Sequence, residues 1–287
     1  MALHRKKFHS CSPLTSFYCS LLSIGKSFLC WITIFVTFFL GLSNNSFAGP
    51  QHKFYYFNPD SLQSNLSNLK REMDNYFSRT DFAVIFQPFA HRVDLEQAMN
   101  TNVPSFLLVP EWFLKAYGEE FHIRPLLIPI RNGKKTYHKV LLASSHLSFD
   151  IKNIKNKSLA MTTMGDSGED ILNNILFRDS GLTARDVNIV YVPKDSDALF
   201  ALALGQVDMA FVVKETIEKI SSINPRITQS IRPLITSSEI SMPILGYIEG
   251  VVSDDEIRKF KEIFMNKSDQ KIIMEMLKID DWQIYTK

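Results

Sequence analysis

YVPKDSDALFALALGQVDMAFV, residues 191–212, reads in one pass as a strand, a polar turn, a helix and a second strand. Val187–Val192 is the first strand and Lys194-Asp195-Ser196-Asp197 the turn. Asp195–Leu204 is predicted helical. Gly205 ends it, since glycine enters the left-handed region without steric cost. Val207–Val213 (VDMAFVV) is almost unbroken apolar sequence, as expected of a buried strand. Strands alternating with helices in this way belong to α/β layers.

The alternation extends in both directions. Upstream, Ser158–Thr163 is a strand that enters Met164-Gly165-Asp166-Ser167-Gly168 and then a helix ended by Gly181. Nearer the start, Lys53–Phe57 is a strand stopped by Asn58-Pro59-Asp60. Ser61–Phe77 is an amphipathic helix with Leu62, Leu66, Leu69, Met73 and Phe77 on one face. Asp81–Phe86 and Ser105–Val109 are strands around a short helix, Val93–Met99, and Pro110 opens a further helix. Leu126–Ile130 and Lys139–Ser144 look like strands joined through the turn dipeptide Asn132-Gly133. Downstream lie a helix at Lys214–Ile223, strands at Ile231–Ile240 and Ile244–Ile248, and two closing helices, Asp254–Asn266 and Ser268–Leu277. The units fall into two groups on either side of about residue 140. The expectation is two α/β lobes, 49–140 with 236–287 and 141–235, with the backbone crossing between them twice. Two crossings make a hinge, and the cleft between the lobes is the natural ligand site.

The first 48 residues set the compartment. Arg5, Lys6, Lys7 and Lys26 stand there without a single acid, Phe28–Leu42 is uncharged, and Ser46-Phe47-Ala48 offers a small-x-small end. These are the parts of an export signal peptide. The apolar run is short for a spanning helix, which needs roughly 20 residues. The long basic region leaves an uncleaved signal anchor as the alternative. All three cysteines (Cys11, Cys19, Cys30) precede the expected cut, so the mature chain owes nothing to disulfides or thiolates. Its 239 residues are enough to bury a core unaided. The leader holds four of the 32 Lys+Arg, leaving 28 against 30 Asp+Glu with no basic block, so nucleic acid is not an expected partner.

From about residue 53 to 285 the chain resembles the phosphate/phosphonate-type periplasmic substrate-binding proteins of ABC importers. Three stretches carry the likeness: VDLEQAMNTNVPSFLLVPEWFLKAYG (93–118), IKNIKNKSLAMTTMGDSGEDILNNIL (151–176) and the 191–212 stretch. The resemblance implies a two-lobed periplasmic binding protein-like fold, a periplasmic location and a monomer that closes on a small ligand. Its partner would be an ABC permease or, in the alternative reading, a membrane sensor. No cofactor, metal or catalytic residue is implied.

The ligand-binding set this suggests is Thr163, Gly165, Asp166, Ser167 and Gly168 at one helix-opening turn and Lys194, Asp195, Ser196 and Asp197 at the other. Asp60, Glu111 and Tyr55 would come from the first lobe. A turn that opens a helix presents unpaired N–H groups and the positive end of the dipole, which suit an oxyanion. The family's phosphonate binders carry more hydroxyls at the first turn and a Ser-His-Asp run at the second. Here the second reads Asp195-Ser196-Asp197. Five acids facing one cleft would favour an amine-bearing or zwitterionic ligand. The same residues have plainer readings. Gly165 and Ser167 suit a tight turn, Asp166 and Asp195 suit helix caps, and Glu111 suits the dipole of its helix. Lys194, the one cation placed near the cleft, is by default exposed, and Asp208 marks a hinge or a cap. Tyr55, Tyr56 and Trp112 line the cleft or fill the core. An enzyme on this scaffold is the remaining reading. Against it, there is no nucleophile elbow or P-loop, and His52, His91, His122, His138 and His146 lack ligand spacing.

Overall fold

A computed structural model of the chain describes residues 51–62, 65–148, 150–164, 168–266 and 270–286. The expected leader lies outside them, and among the described residues no helix is long and apolar enough to cross a membrane. Residues 50–287 form one compact unit built, among the described residues, on two large sheets and a two-stranded ribbon.

The first sheet holds β1 (His52–Phe57), β2 (Val84–Phe89), β3 (Phe106–Val109) and β4 (Ile123–Ile130), which lie on the near side of the crossing. The chain then passes through β5 (Thr136–Tyr137) into the second sheet. There it lays down β6 (Lys139–Ser144), β7 (Ser158–Thr162), β8 (Asn188–Val192), β9 (Met209–Val213) and β10 (Ile231–Thr236). It returns through β11 (Ile240–Ser241) to β12 (Ile244–Ile248) and β13 (Asp281–Ile284) in the first sheet. The orders are β13-β4-β12-β3-β1-β2 and β10-β6-β9-β7-β8. In each, a parallel block meets antiparallel strands supplied around a crossing.

The crossings lie side by side. β5 and β11 pair antiparallel, Tyr137 opposite Ile240 and Thr136 opposite Ser241, as a two-stranded ribbon. Hydrogen bonds from Met242 N to Lys135 O (2.8 Å) and Ser237 N to Lys139 O (2.9 Å) continue it on either side. A ribbon this narrow leaves the sheets joined through few backbone bonds, the construction of a hinge.

The central strands β3 and β9 are buried at every position, as continuous apolar runs require. Helices cover both faces of the first sheet, so successive residues of β1 enter different clusters. Phe54 and Tyr56 join one with Phe77, Phe106 and Phe260, while Tyr55 and Phe57 join another with Leu95 and Phe113. The helix Asp254–Met265 opens on a reciprocal Ser253–Glu256 capping box and buries Phe260 and Phe264 one turn apart.

Four expectations are corrected here. Asn132 and Gly133 do take positive φ (52° and 72°), as the turn dipeptide requires. However, they close only the bridge Arg131–Lys134, and β4 and β6 belong to different sheets. The single strand expected at Ile231–Ile240 is two, because the chain leaves the second sheet at Ser237 and pairs again only at Ile240. Pro110 stands before its helix as the N-cap and not inside it. The chain does not end in helix: β13 pairs with β4, with Trp282 opposite Pro129.

Gly246 lies in β12 between β3 and β4. A Cβ there would sit 2.9 Å from Arg124 O and 3.1 Å from Ile123 Cγ2. Backbone cannot step aside as a side-chain tip can, so Gly246→Ala is expected to cost about 1–3 kcal/mol. Urea titration would show this, and an unchanged midpoint would contradict it.

Candidate functional site

Two neighbouring features lie where the sheets meet: a buried polar cluster and an open cleft. The cluster is assembled from both halves. Asp60 follows β1 in the Asn58-Pro59-Asp60 turn, held by its own N–H donating to Asn58 Oδ1 at 3.1 Å. Tyr137 sits on the crossing ribbon and Lys139 opens β6 immediately after it. Thr162 ends β7, and Asp195 is the first residue of the helix Asp195–Ala203. Lys139 is fully buried, and Asp60, Thr162 and Asp195 are 9 %, 0 % and 1 % exposed.

Lys139 Nζ lies 2.7 Å from Asp60 Oδ1, 2.8 Å from Thr162 Oγ1 and 3.0 Å from Asp195 Oδ1. Thr162 donates to Asp60 Oδ1 at 2.6 Å and Tyr137 to Asp60 Oδ2 at 2.6 Å. Asp195 Oδ2 accepts from Val213 N at 2.7 Å, but its Oδ1 receives no well-aligned hydrogen bond despite the nearby ammonium. One ammonium thus faces two carboxylates.

The titration of these groups follows from the geometry. Burial disfavours the Lys139 ammonium, but Asp195 and then Asp60 outweigh burial and hold it above its ordinary value. Burial likewise pushes Asp60 up, and Lys139 with the Thr162 and Tyr137 hydroxyls more than reverses it, leaving Asp60 low. Asp195 ends high: burial and the nearby Asp60 together exceed the pull of Lys139. Burial, followed by the Asp60 charge, drives the Tyr137 phenol well up, so it donates throughout the neutral range.

Beside this cluster, and sharing Tyr137 with it, is a cleft of about 220 Å³ open to solvent. The first half contributes Glu111, Trp112 and Lys115, and the ribbon contributes Ile240 and Ser241. Ile171, Asn174 and Ile175 come from the helix that opens at Gly168, which passes into a π turn at Asn173–Phe177. Such a turn re-aims side chains by a fraction of a helical turn and recurs at ligand sites. The cleft therefore offers apolar walls with carboxylates at Glu111 and Glu239.

The residues singled out from the sequence fall into three groups. Gly165, Asp166 and Ser167 lie outside the described residues. Thr163 is half-buried beside Thr162, and Gly168 is buried, with room for a Cβ limited by Tyr191 Oη at 3.3 Å. Glu111 is in the cleft wall, paired with Lys115 at 3.2 Å, and Asp60 is in the cluster. Asp195 does not cap its own helix, because Lys194 occupies that position and the Asp195 carboxylate turns inward to Lys139 and Val213. Lys194, Ser196 and Asp197 are half-buried on that first turn. Tyr55 belongs to the core, its hydroxyl donating to Asn102 O at 2.8 Å. Asp208 bonds Ser158 N and Oγ at 2.9 Å, tying the approach to β9 onto β7. Lys139, not Lys194, is the cation in the cluster. The available signal was a lysine abutting the apolar run Val140–Ala143, since a charge on a buried strand needs buried partners. Among the described residues no group of three His, Cys, Asp or Glu could hold a metal ion.

Comparison with known proteins agrees with this architecture. Among curated proteins no sequence relative matches. The binding-protein component of an ABC phosphonate transporter from Pseudomonas aeruginosa superposes with a TM-score of 0.66 at 16% identity, over 82% of each chain. A methylphosphonate-bound protein from Prochlorococcus marinus gives 0.68 at 14%, over 83% of this chain and 94% of that one. An ATP-bound protein from Xanthomonas citri gives 0.61 at 9%, over 81% and 90%. At these identities the likeness is one of fold, that of the two-lobed periplasmic binding proteins. The model of the family described as "ABC transporter, phosphonate, periplasmic substrate-binding protein" matches residues 55–286, and the chain belongs to that family.

Proposed function

We propose that the protein captures a small amine-bearing phosphonate, or a zwitterion of similar shape, and presents it to an ABC permease. The cleft carries this reading: a ligand-sized space walled by both halves and by the ribbon that joins them. A solute touching both walls binds the closed arrangement better than the open one and so shifts the population toward it. Lobes of 49–140 with 236–287 and 141–235 would move about the ribbon, and residues 1–48 would direct export. The neighbouring Asp60–Lys139–Asp195 cluster has carboxylate in excess, and Glu239 is exposed at the rim. Both features favour an amine on the ligand, while Trp112, Ile171 and Ile175 suit a short carbon chain.

The test is a thermal-shift panel of alkyl- and aminoalkyl-phosphonates, the corresponding sulfonates and amino acids. An aminoalkylphosphonate at about 100 times its Kd adds roughly 2.7 kcal/mol to stability, and methylphosphonate is expected to add less at equal concentration. Silence across the whole panel would overturn the transport reading.

A further inference from the structure

We propose that Tyr137 Oη, Lys139 Nζ and Thr162 Oγ1 form an oxyanion subsite that the chain's own Asp60 carboxylate fills from the opposite half. The proposal deepens the transport reading and rests on it for its meaning, because the filled subsite adjoins the cleft.

The three donors converge on one carboxylate at 2.6, 2.7 and 2.6 Å. One is charged and all lie at or near full burial except Tyr137, which is half-buried. Short, charge-assisted bonds from several preset donors are what a carboxylate, phosphonate or sulfonate oxygen needs once water is excluded. The donors all stand on the ribbon or on the second sheet, whereas Asp60 arrives on a loop of the first. Closing the halves therefore carries an anion onto a donor set it does not share a sheet with. Lys219 Nζ, donating to Leu62 O at 2.6 Å, binds the same loop across the same junction.

Two consequences follow. This arrangement is stabilised without any solute, since Asp60 already bridges the halves as a ligand would. A solute's oxyanion reaches these donors only by displacing Asp60, so its apparent affinity at this subsite is reduced by the fraction of molecules in which Asp60 holds the place. Asp195 cannot take over from Asp60. Its carboxylate is fixed by Val213 N on one side and already lies 3.0 Å from Lys139 on the other.

Chemical rescue tests this. Asp60→Ala keeps Cβ and removes a group the size of formate, leaving the donors without their anion. The melting temperature of Asp60→Ala should fall and then rise saturably with sodium formate, by roughly 3–6 °C at ten times the formate Kd. Sodium chloride at equal ionic strength should not reproduce the rise, and wild type should move by less than about 1 °C. Asp60→Asn, which keeps the space filled, should lose stability without responding to formate. If Asp60→Ala is unfolded in anion-free buffer, the titration is read as recovery of folded protein by circular dichroism. No formate response in Asp60→Ala by either readout overturns the proposal, as does an equal response in Asp60→Ala/Lys139→Met. Formate is not the transported solute. A silent solute panel with a rescued Asp60→Ala counts against the transport reading alone, and the converse counts against the subsite alone.

Discussion

Lys139→Met is expected to destabilise the protein by about 3–5 kcal/mol, since removing one partner from a buried ionic group strands the others. Methionine approximates the length of the lysine stem, so packing over Phe211, whose ring centroid lies 5.4 Å from Lys139 Nζ, changes little. What is lost is the one ammonium between two carboxylates that are 9 % and 1 % exposed. Thr162 and Tyr137 still donate to Asp60 and Val213 N to Asp195, but hydroxyls and one amide do not neutralise two charges. The pH dependence gives a second check. In wild type the Asp60 pKa is held low, so its stabilisation is present above the unfolded carboxylate value and lost as pH falls through the folded one. In Lys139→Met, burial and mutual repulsion place the folded carboxylates above their unfolded values. Protonation then favours the fold, and stability rises as pH drops. The penalty should therefore shrink on acidification. Urea curves at several pH values measure it. A loss below about 1 kcal/mol at neutral pH, or one that does not change with pH, would contradict the ionic account. Asp60→Asn and Asp195→Asn added to Lys139→Met should restore most of the loss, since no buried charge then remains.

The same cluster shows how far the sequence could be read. The alternation of strands and helices in two groups was accessible because β3, β7 and β9 are short apolar runs and a helix follows each before the next strand. Gly205 ended its helix at φ 69°, as its position suggested. The pairing of Asp60 with Lys139 was not accessible, because the two are 79 residues apart and nothing in the spacing says which loop the closed chain brings to which strand. Asp195 carried a helix-start signal that is real as a position, in the first turn, yet its carboxylate is used elsewhere. The direction of a side chain on a first turn depends on what the neighbouring sheet offers. Tyr55 and Tyr56 could each line the cleft or fill the core, and core was expected of at least one because strand neighbours face opposite ways. They do face opposite ways, and because helices cover both faces, both are core. β13 escaped notice because four residues with one buried side chain, Trp282, give too little alternation to register.

Phe260→Ala should cost a similar amount, about 3–5 kcal/mol, by the different route of an unfilled core volume. Phe260 is fully buried, its ring stacked on Phe106 at 3.6 Å and 14° and on Phe77 at 6.2 Å and 13°. Phe54, Phe82 and Phe264 surround it at 5.4, 5.9 and 5.0 Å. Phe54, Phe106 and Phe77 come from β1, β3 and the helix Leu66–Phe77, and Phe82 from the segment before β2, whereas Phe260, with Phe264, lies on a helix laid down after the chain has returned from the second sheet. The ring therefore fastens the last quarter of the sequence onto the first, and no neighbouring aromatic can turn into the space without leaving its own stack. Phe260→Leu, which keeps much of the volume, should cost only about 1 kcal/mol. The loss should also be local. Hydrogen exchange in Phe260→Ala is expected to quicken in β1 and β3 and to stay near wild type in β7 and β9, whose core of Leu159, Met161, Met209 and Phe211 is a separate cluster. Uniform loss of protection in both sheets would mean that the ribbon couples the two halves into a single cooperative unit, and the hinge drawn from its narrowness would have to be abandoned.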